Sequence, residues 1–506
     1  EFEEVAQKSK LHPKPEGLTL QYGTAGFRTN AKHLDHIMFR MGLLATLRSK
    51  KTKSTIGVMV TASHNPEVGN ASIYVQILLS CTLVVLECKL GECIHCVTNV
   101  CVNFSERLFV LLRPSSAALS QAVLDGVSSL GGKTHDYGLV STPQLHYMVC
   151  CCNTKGRYGS ATLEGYYQKL SQAFLQLTHN VSTTNKHQYD QKRLLLDGAN
   201  GIGALKMKEL EPFIRSELQV VLSNDGSSGK LNHLCGADYV KVQQKAPQGV
   251  SMGVGERCCS FDGDADRIVY YYTDSKNCFH LLDGDKIATL ISTFLKELLT
   301  QVLHTQTHIK TNIQNKAAQK QIVELVKDSN VNDERKHAAK LLENTVNLIN
   351  QVYIQTQTLL QKLLITDILH TLSPFLSVLQ TVGDAISDML VIEAVLAIRG
   401  MSVQDWDEIY TDLPNRQLKV TVSDRRVINT TDAERRAVTP EGLQDAIDSL
   451  VKKYKNARSF VRPSGTEDVV RVYAEADTQE GADRLAHEVS LAVHRLAGGV
   501  GDEPKP

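Results

Sequence analysis

The stretch Cys258-Cys259-Ser260-Phe261-Asp262-Gly263-Asp264-Ala265-Asp266-Arg267-Ile268-Val269-Tyr270-Tyr271-Tyr272 sets three carboxylates at i, i+2 and i+4 between an apolar segment and a strand-like one. On an extended chain that spacing puts all three on one side. Like charges so close repel unless a cation or protons neutralise them. A helix–loop–helix calcium site would need Gly at loop position six and Glu at position twelve, and here those positions hold Arg267 and Thr273. A hard divalent ion such as Mg2+, which takes few carboxylates and adds phosphate oxygens, fits better. The bland alternative is a solvated acidic turn, and Gly263 between two flanking strands speaks against it. The stretch reads as a metal loop.

The bulk numbers frame that site. A chain of 506 residues folds as several domains by the usual size prior. Apolar content of 42% and charged content of 22% leave ample material for buried cores. Lys plus Arg equals Asp plus Glu at 55 each, which argues against a general nucleic-acid binder. Phosphate recognition must therefore come from local sites. The segment Glu1-Phe2-Glu3-Glu4 is acidic and lacks the apolar core of a secretory signal. The twelve cysteines are accordingly expected as reduced, cytoplasmic thiols. Ile73 to Leu86 is too short and too interrupted for a membrane span.

Working back towards the start, Leu18 to Arg28 carries two glycines of a tight loop, with Arg28 either a phosphate partner or a plain surface arginine. Thr55 to Val60 reads as a buried strand running into Thr61-Ala62-Ser63-His64-Asn65-Pro66. A hydroxyl placed there sits where an α/β sheet presents its site. Alone, Ser63 reads sooner as a turn serine. Paired with a metal loop, it has the makings of a phosphoryl-accepting nucleophile, with His64 either a proton carrier or structural. Residues 71–112 are atypical. Cys93-Ile94-His95-Cys96 has the gap of a zinc half-site, but no second pair stands at a standard distance.

Beyond the metal loop, Asp283 is a candidate cap for a helix over Lys286 to Leu299, and the texture changes between 300 and 382. Gln321 to Leu348 reads as helix, and Gln351 to Leu379 is rich in leucine and glutamine. Gly383 to Ile398 returns to a patterned helix, and Thr439-Pro440 reads as a capped helix start. Two strands, Ser459 to Val461 and Val469 to Ala474, flank Arg462-Pro463-Ser464-Gly465-Thr466-Glu467-Asp468. Arginine, hydroxyls and glycine-freed amides in one loop suit a dianionic phosphate, and Arg471 supplies a second cation. An ordinary hairpin is the competing reading. Ala482, Leu485, Ala486, Val489, Ala492, Val493 and Leu496 form a helical core stripe.

Ser63 in its Thr-Ala-Ser-His-Asn-Pro context, the Asp262–Arg267 loop and the Arg462–Asp468 loop occur in that order, and together they resemble the α-D-phosphohexomutase superfamily. The resemblance covers roughly residues 15–70, 113–300, 318–350 and 383–500. It implies an α/β protein with mixed sheets around a central cleft and a C-terminal α+β domain. The divisions would be 1–185 (phosphoserine loop), 186–300 (metal loop), 301–400 (a degenerate third domain) and 401–506 (phosphate binding). It implies interconversion of N-acetylglucosamine 6-phosphate and 1-phosphate, through a phosphoserine and a bisphosphate, for UDP-sugar synthesis. Ser63 would be the phosphoserine, and Asp262, Asp264, Asp266 and the Ser63 phosphate would hold one Mg2+ per chain. Arg462, Pro463, Ser464, Gly465, Thr466 and Arg471 would grip the other phosphate, with Arg267 near the transferred group. Partners would be a phosphorylated amino sugar, with neither nucleic acid nor membrane; the sequence leaves the oligomeric state open. Two expected segments have no counterpart: a Glu-Ala-Asn-Gly-His-Gly sugar loop between 300 and 382, and Gly-Arg-Asp-Thr just before Arg113. The alternative is therefore an impaired relic that binds metal or phosphate without turnover.

Overall fold

The computed structural model describes residues 2–19, 33–61, 76–80, 99–104, 114–178, 192–303, 383–411, 413–432, 435–464 and 468–504. They fall into two compact units, one ending at Ile409 and the other running from Tyr410 to Pro506.

The first unit opens with α1 (Phe2–Ser9), α2 (Asp35–Thr52), β1 (Ile56–Thr61), β2 (Gln76–Ser80), β3 (Asn99–Phe104), α3 (Pro114–Ser128) and β4 (Lys133–Asp136). Its first sheet has the order β2-β1-β3-β4, with β1 antiparallel to β2 and parallel to β3. The strand expected over Thr55 to Val60 is thus β1, and Ile56, Val58 and Met59 are buried. Ile56 and Val58 pack with Ile37, Met38 and Phe39 of α2 and Val123 and Val127 of α3.

Next come α4 (Thr142–Asn153), α5 (Leu163–Thr178), β5 (Arg193–Asp197), α6 (Ile202–Ile214), β6 (Gln219–Ser223), α7 (Ala237–Gln243), β7 (Cys258–Phe261), β8 (Ile268–Thr273), β9 (Phe279–Leu282), α8 (Gly284–Leu303), α9 (Ala385–Arg399) and α10 (Val403–Asp407). The second sheet has the order β6-β5-β7-β8-β9; β6, β5 and β7 run parallel, while β8 and β9 are antiparallel. Layers cover both faces, which is why these strands read as nearly unbroken apolar runs. Leu194 and Leu196 point into the main core with Phe174, Met207 and Met389, whereas Leu195 joins Ala237, Val240 and Val269 on the other side.

Helix α9 lies at the centre of that core. Every residue from Ala385 to Ala397 is buried, as befits a helix apolar nearly all round. Its one fully buried glutamate, Glu393, takes a forked pair from Arg257 (Nε 2.9 Å, Nη2 2.8 Å) and a hydrogen bond from the Tyr270 hydroxyl at 3.0 Å. Pairing of this kind offsets the cost of burying the two groups.

The second unit contains β10 (Asn415–Thr421), β11 (Asn429–Thr431), β12 (Arg436–Thr439), α11 (Leu443–Val451), β13 (Arg458–Pro463), β14 (Val469–Glu475) and α12 (Gln479–Leu496). Its antiparallel sheet β10-β14-β13 buries Val461, Val470 and Val472 against Leu485, Ala486, Val489 and Val493 of α12. Of the stripe expected on α12, Leu496 alone is well exposed, at 43%. The expected helix start at Thr439-Pro440 is overturned. Thr439 ends β12, its hydroxyl donates to Val427 O at 2.6 Å and accepts from Asn429 N, and Gly442 precedes the helix. The cross-strand bond captures the hydroxyl that the cap would have used.

Candidate metal centre and phosphate clamp

Pairing of Phe261 with Ile268 closes β7 onto β8 across residues 262–267. The three carboxylates converge because this segment turns back on itself. The extended alternation expected from the sequence is therefore corrected: the strand ends at Phe261, and Ala265 takes the left-handed φ of 59°. Asp262 acts as the turn's internal cap. Its Oδ1 accepts from the amides of Asp266 and Arg267, both at 3.1 Å, and its Oδ2 accepts from Arg267 Nε at 3.0 Å. One ligand atom each from Asp262, Asp264 and Asp266 then lies within 4.8 Å of the others.

Three helix starts pin the turn from outside. Ile202, first residue of α6, donates its N–H to Gly263 O at 3.1 Å, and Ala385, first residue of α9, donates to Ala265 O at 3.0 Å. Thr142, first residue of α4, donates its hydroxyl to Asp264 Oδ2 at 2.6 Å. First-turn N–H groups have no partner within their own helix, so loop carbonyls satisfy them at no cost to the helix, and the dipoles favour acidic neighbours. Asp197, at the end of β5, organises the same rim. It accepts from Ala199 N, Gly236 N, Asn224 Nδ2 and Ser260 Oγ at 2.7–3.1 Å, which fixes the Gly198–Gly201 turn ahead of α6.

Burial and crowding set the charge state. Asp262 and Asp264 are fully buried. Burial, then the charge of Asp262, lifts Asp264 to about 7, although Thr142 and Arg267 pull the other way. The same causes, with Asp264 added, hold Asp266 well above the carboxylate range. Burial works against the Arg267 charge, but the surrounding carboxylates outweigh it and raise that group. Oδ1 of Asp264 and Oδ1 of Asp266 are buried without a hydrogen-bond partner. Orphaned carboxylate oxygens are costly, and an all-oxygen set is what a hard cation takes. The residues present fit Mg2+.

In the second unit Arg462 stands directly opposite Arg471, and Arg471 opposite Lys419, so three exposed cations cross adjacent strands in one row. Like charges facing each other destabilise a sheet unless an anion lies among them. The Arg462 guanidinium rests 5.2 Å from the Phe460 ring centre, and Phe460 stacks on Tyr473 at 4.9 Å. Ser464, two residues after Arg462, is buried, and its N–H donates to Val469 O at 2.8 Å. Arg267 is placed with the three aspartates. Ser63, His64, Arg28, Gly465 and Thr466 lie outside the described residues, as do Cys93, Cys96 and the segments between 304 and 382; β1 ends two residues short of Ser63.

Three contributors escaped the sequence reading. Thr142 sits in Ser141-Thr142-Pro143, a helix-start signature that gives no hint of its distant partner. Gly201 sits in a glycine turn between β5 and α6 of the kind that joins any strand to a helix, yet its close neighbour is Gly263 of the metal turn. Lys419 shows only as one polar residue in an alternating strand, and the β10–β14 register alone reveals its neighbours.

A family model described as phosphoacetylglucosamine mutase AMG1, domain II, matches residues 158–269, and one for the C-terminal domain of phosphoglucomutase/phosphomannomutase matches 418–492. The phosphoacetylglucosamine mutases of Homo sapiens and Mus musculus are 52% and 54% identical, covering 99% and 100% of this chain and 99% of their own lengths. The human alignment runs over 571 positions against 506 residues here, so that protein carries stretches without a counterpart in this chain. Among solved structures, an N-acetylglucosamine-phosphate mutase in its substrate complex superposes with a TM-score of 0.78 at 33% identity, over 97% of this chain and 99% of that one. The Aspergillus fumigatus enzyme in complex with GlcNAc-6P and magnesium gives 0.79 at 32% identity, over 98% and 99%. With its metal turn and its paired arginines set on such a scaffold, the chain belongs to the phosphoacetylglucosamine mutase family of the α-D-phosphohexomutase superfamily.

Proposed function

We propose that this chain interconverts N-acetylglucosamine 6-phosphate and N-acetylglucosamine 1-phosphate, supplying the latter for UDP-sugar synthesis in the cytoplasm. The carrying observation is the buried turn with two carboxylate oxygens that accept no hydrogen bond, in a family with a member solved in complex with GlcNAc-6P and magnesium. Asp262, Asp264 and Asp266, with the phosphate on Ser63, would hold one Mg2+ per chain, which supplies positive charge beside a transferring phosphoryl group. Ser63 carries the phosphoryl group. The sugar hydroxyl that receives it forms the new P–O bond and loses its proton, while the Ser63 Oγ–P bond breaks and Oγ regains a proton. The reverse transfer from the other end of the bisphosphate restores phosphoserine. Arg267, already drawn to the carboxylates, faces the charge that develops, with His64 as a proton carrier and Arg28 as a further phosphate contact.

Arg462, Ser464, Gly465, Thr466 and Arg471 grip the phosphate that is not transferred, Pro463 stiffens their loop, and Lys419 extends the cationic row. The four divisions 1–185, 186–300, 301–400 and 401–506 are the functional parts of this reading. The relic alternative is not favoured, because relatives matched over the full chain are phosphoacetylglucosamine mutases. No helix among the described residues is long and apolar enough to cross a membrane.

Mass spectrometry of the chain after incubation with a hexose bisphosphate, paired with turnover of N-acetylglucosamine 6-phosphate against glucose 6-phosphate, tests the proposal. Phosphate on Ser63 that turns over with the amino sugar is expected. Absence of label, with the metal still bound, sinks it.

A further inference from the structure

Thr142 opens α4 with its side chain buried, at 2% exposure, and it reaches across 122 residues of sequence to Asp264. The helix start is fixed independently of that contact. Ser141 Oγ accepts from Gln144 N at 3.3 Å, Gln144 Oε1 accepts from Ser141 N at 3.0 Å, and Pro143 follows in the first turn. A β-branched side chain on a locked backbone has few rotamers to choose from. Its hydroxyl has one proton, and at 2.6 Å that proton is committed to Asp264 Oδ2. The other oxygen of that carboxylate, Oδ1, is buried and has no hydrogen-bond partner, in a carboxylate with one oxygen within 4.8 Å of ligand oxygens of Asp262 and Asp266. Fixing one oxygen of a terminal carboxylate fixes the direction of the other.

We propose that Thr142 is a positioning residue for the metal site: by holding Asp264 Oδ2, it sets the carboxylate so that Oδ1 faces the divalent cation. The inference rests on the metal reading given above. It separates the two oxygens of Asp264 by role, one spent on the scaffold and one kept for the ion. Groups that orient metal ligands in this way typically change affinity by about 10- to 100-fold when removed.

The test is Mn2+ binding to the purified full-length chain, followed by calorimetry or electron paramagnetic resonance with the metal alone, alongside melting curves in EDTA. Thr142→Val keeps the shape and deletes the donor; Thr142→Ser keeps the donor and deletes a methyl. The expected result is a Mn2+ dissociation constant raised about 10-fold or more in Thr142→Val and returned to within a few-fold of the parent in Thr142→Ser. Should Thr142→Val fail to fold, Thr142→Ala takes its place against the same Thr142→Ser comparison. A donor-free variant that melts earlier in EDTA yet binds Mn2+ as the parent does overturns the proposal, because that is what a purely structural hydrogen bond gives. A parent chain that binds no Mn2+ overturns the metal reading itself, and this inference with it.

Discussion

Replacing Gly201 by alanine perturbs the metal turn without touching a ligand. Gly201 has φ −104° and ψ −172°, a backbone conformation open to any residue, so the cost is one of contact alone. A Cβ built there meets Gly263 O at 2.3 Å, Gly263 Cα at 2.8 Å and Gly263 C at 2.9 Å. All three are backbone atoms of the metal turn, and none is the free end of a side chain that could swing aside. Restoring ordinary contact of about 3.4 Å makes the turn recede by about 1 Å, which also opens the 3.1 Å bond from Ile202 N to Gly263 O. Overpacking of this kind costs about 1–3 kcal/mol and the lost hydrogen bond about 1 more, so about 2–4 kcal/mol in all. In function, a misplacement of about 1 Å near the chemistry lowers turnover on the order of 100-fold. The assay is a Mg2+ titration of mutase turnover with N-acetylglucosamine 6-phosphate, alongside melting in EDTA. Gly201→Ala is expected to need about 10-fold more Mg2+ for half-activation, to turn over on the order of 100-fold slower and to melt earlier. A variant with the parent's Mg2+ dependence and turnover refutes the claim that this contact places the turn.

Burial, then the charges of Asp262 and Asp264, disfavour an ionised Asp266, and Asp266→Asn puts a permanently neutral side chain there while removing a ligand. Its Tm in EDTA at neutral pH should rise above the parent's while the Mg2+-induced increase disappears, and a lower Tm in EDTA would refute the idea that the bare turn disfavours an ionised Asp266. Burial lifts Asp384 from the usual 3.8 to about 6, against the opposing hydrogen bonds from Ser387 N, the Tyr166 hydroxyl and Ile386 N. A raised value means that the fold prefers the proton, so the linked stability is complete below about pH 4 and is lost as pH climbs through about 6. Asp384→Asn keeps a neutral cap, and its melting advantage over the parent should grow between those limits; parallel Tm–pH curves would count against this. Lys419→Ala should raise the KM for the sugar phosphate by about 3- to 10-fold with kcat little changed, as expected of a cation that adds to binding alone. Equal loss in kcat and kcat/KM would give Lys419 a different role.

What the sequence made legible was local. The strand at Thr55 to Val60, the helices around Lys286 to Leu299 and Gly383 to Ile398, and the two strands flanking the Arg462 loop follow from local apolar patterning, which short windows carry. The aspartates were legible as a metal loop because their mutual repulsion demands a remedy. Their true arrangement was not, because an extended strand and a tight turn both bring i, i+2 and i+4 together, and the pairing of Phe261 with Ile268 decides between them. Thr439-Pro440 misled because a hydroxyl before proline is a good cap until a neighbouring strand claims it. Thr142, Ala385 and Lys419 act through partners 122, 120 and 52 residues away, distances over which no window reading carries information.

The way α8 and α9 are tied bears on the length of chain between them. Arg399 Nη1 of α9 donates to Thr293 Oγ1 of α8 at 3.1 Å, while Trp406 Nε1 of α10 donates to Lys286 O at 3.1 Å and Lys286 Nζ pairs with Asp407 Oδ1 at 3.0 Å. The two ends of the chain that enclose residues 304–382 are therefore fastened by packing of their own. A change of length between Leu303 and Gly383 leaves this fastening in place, together with the hold of the Ala385 N–H on Ala265 O.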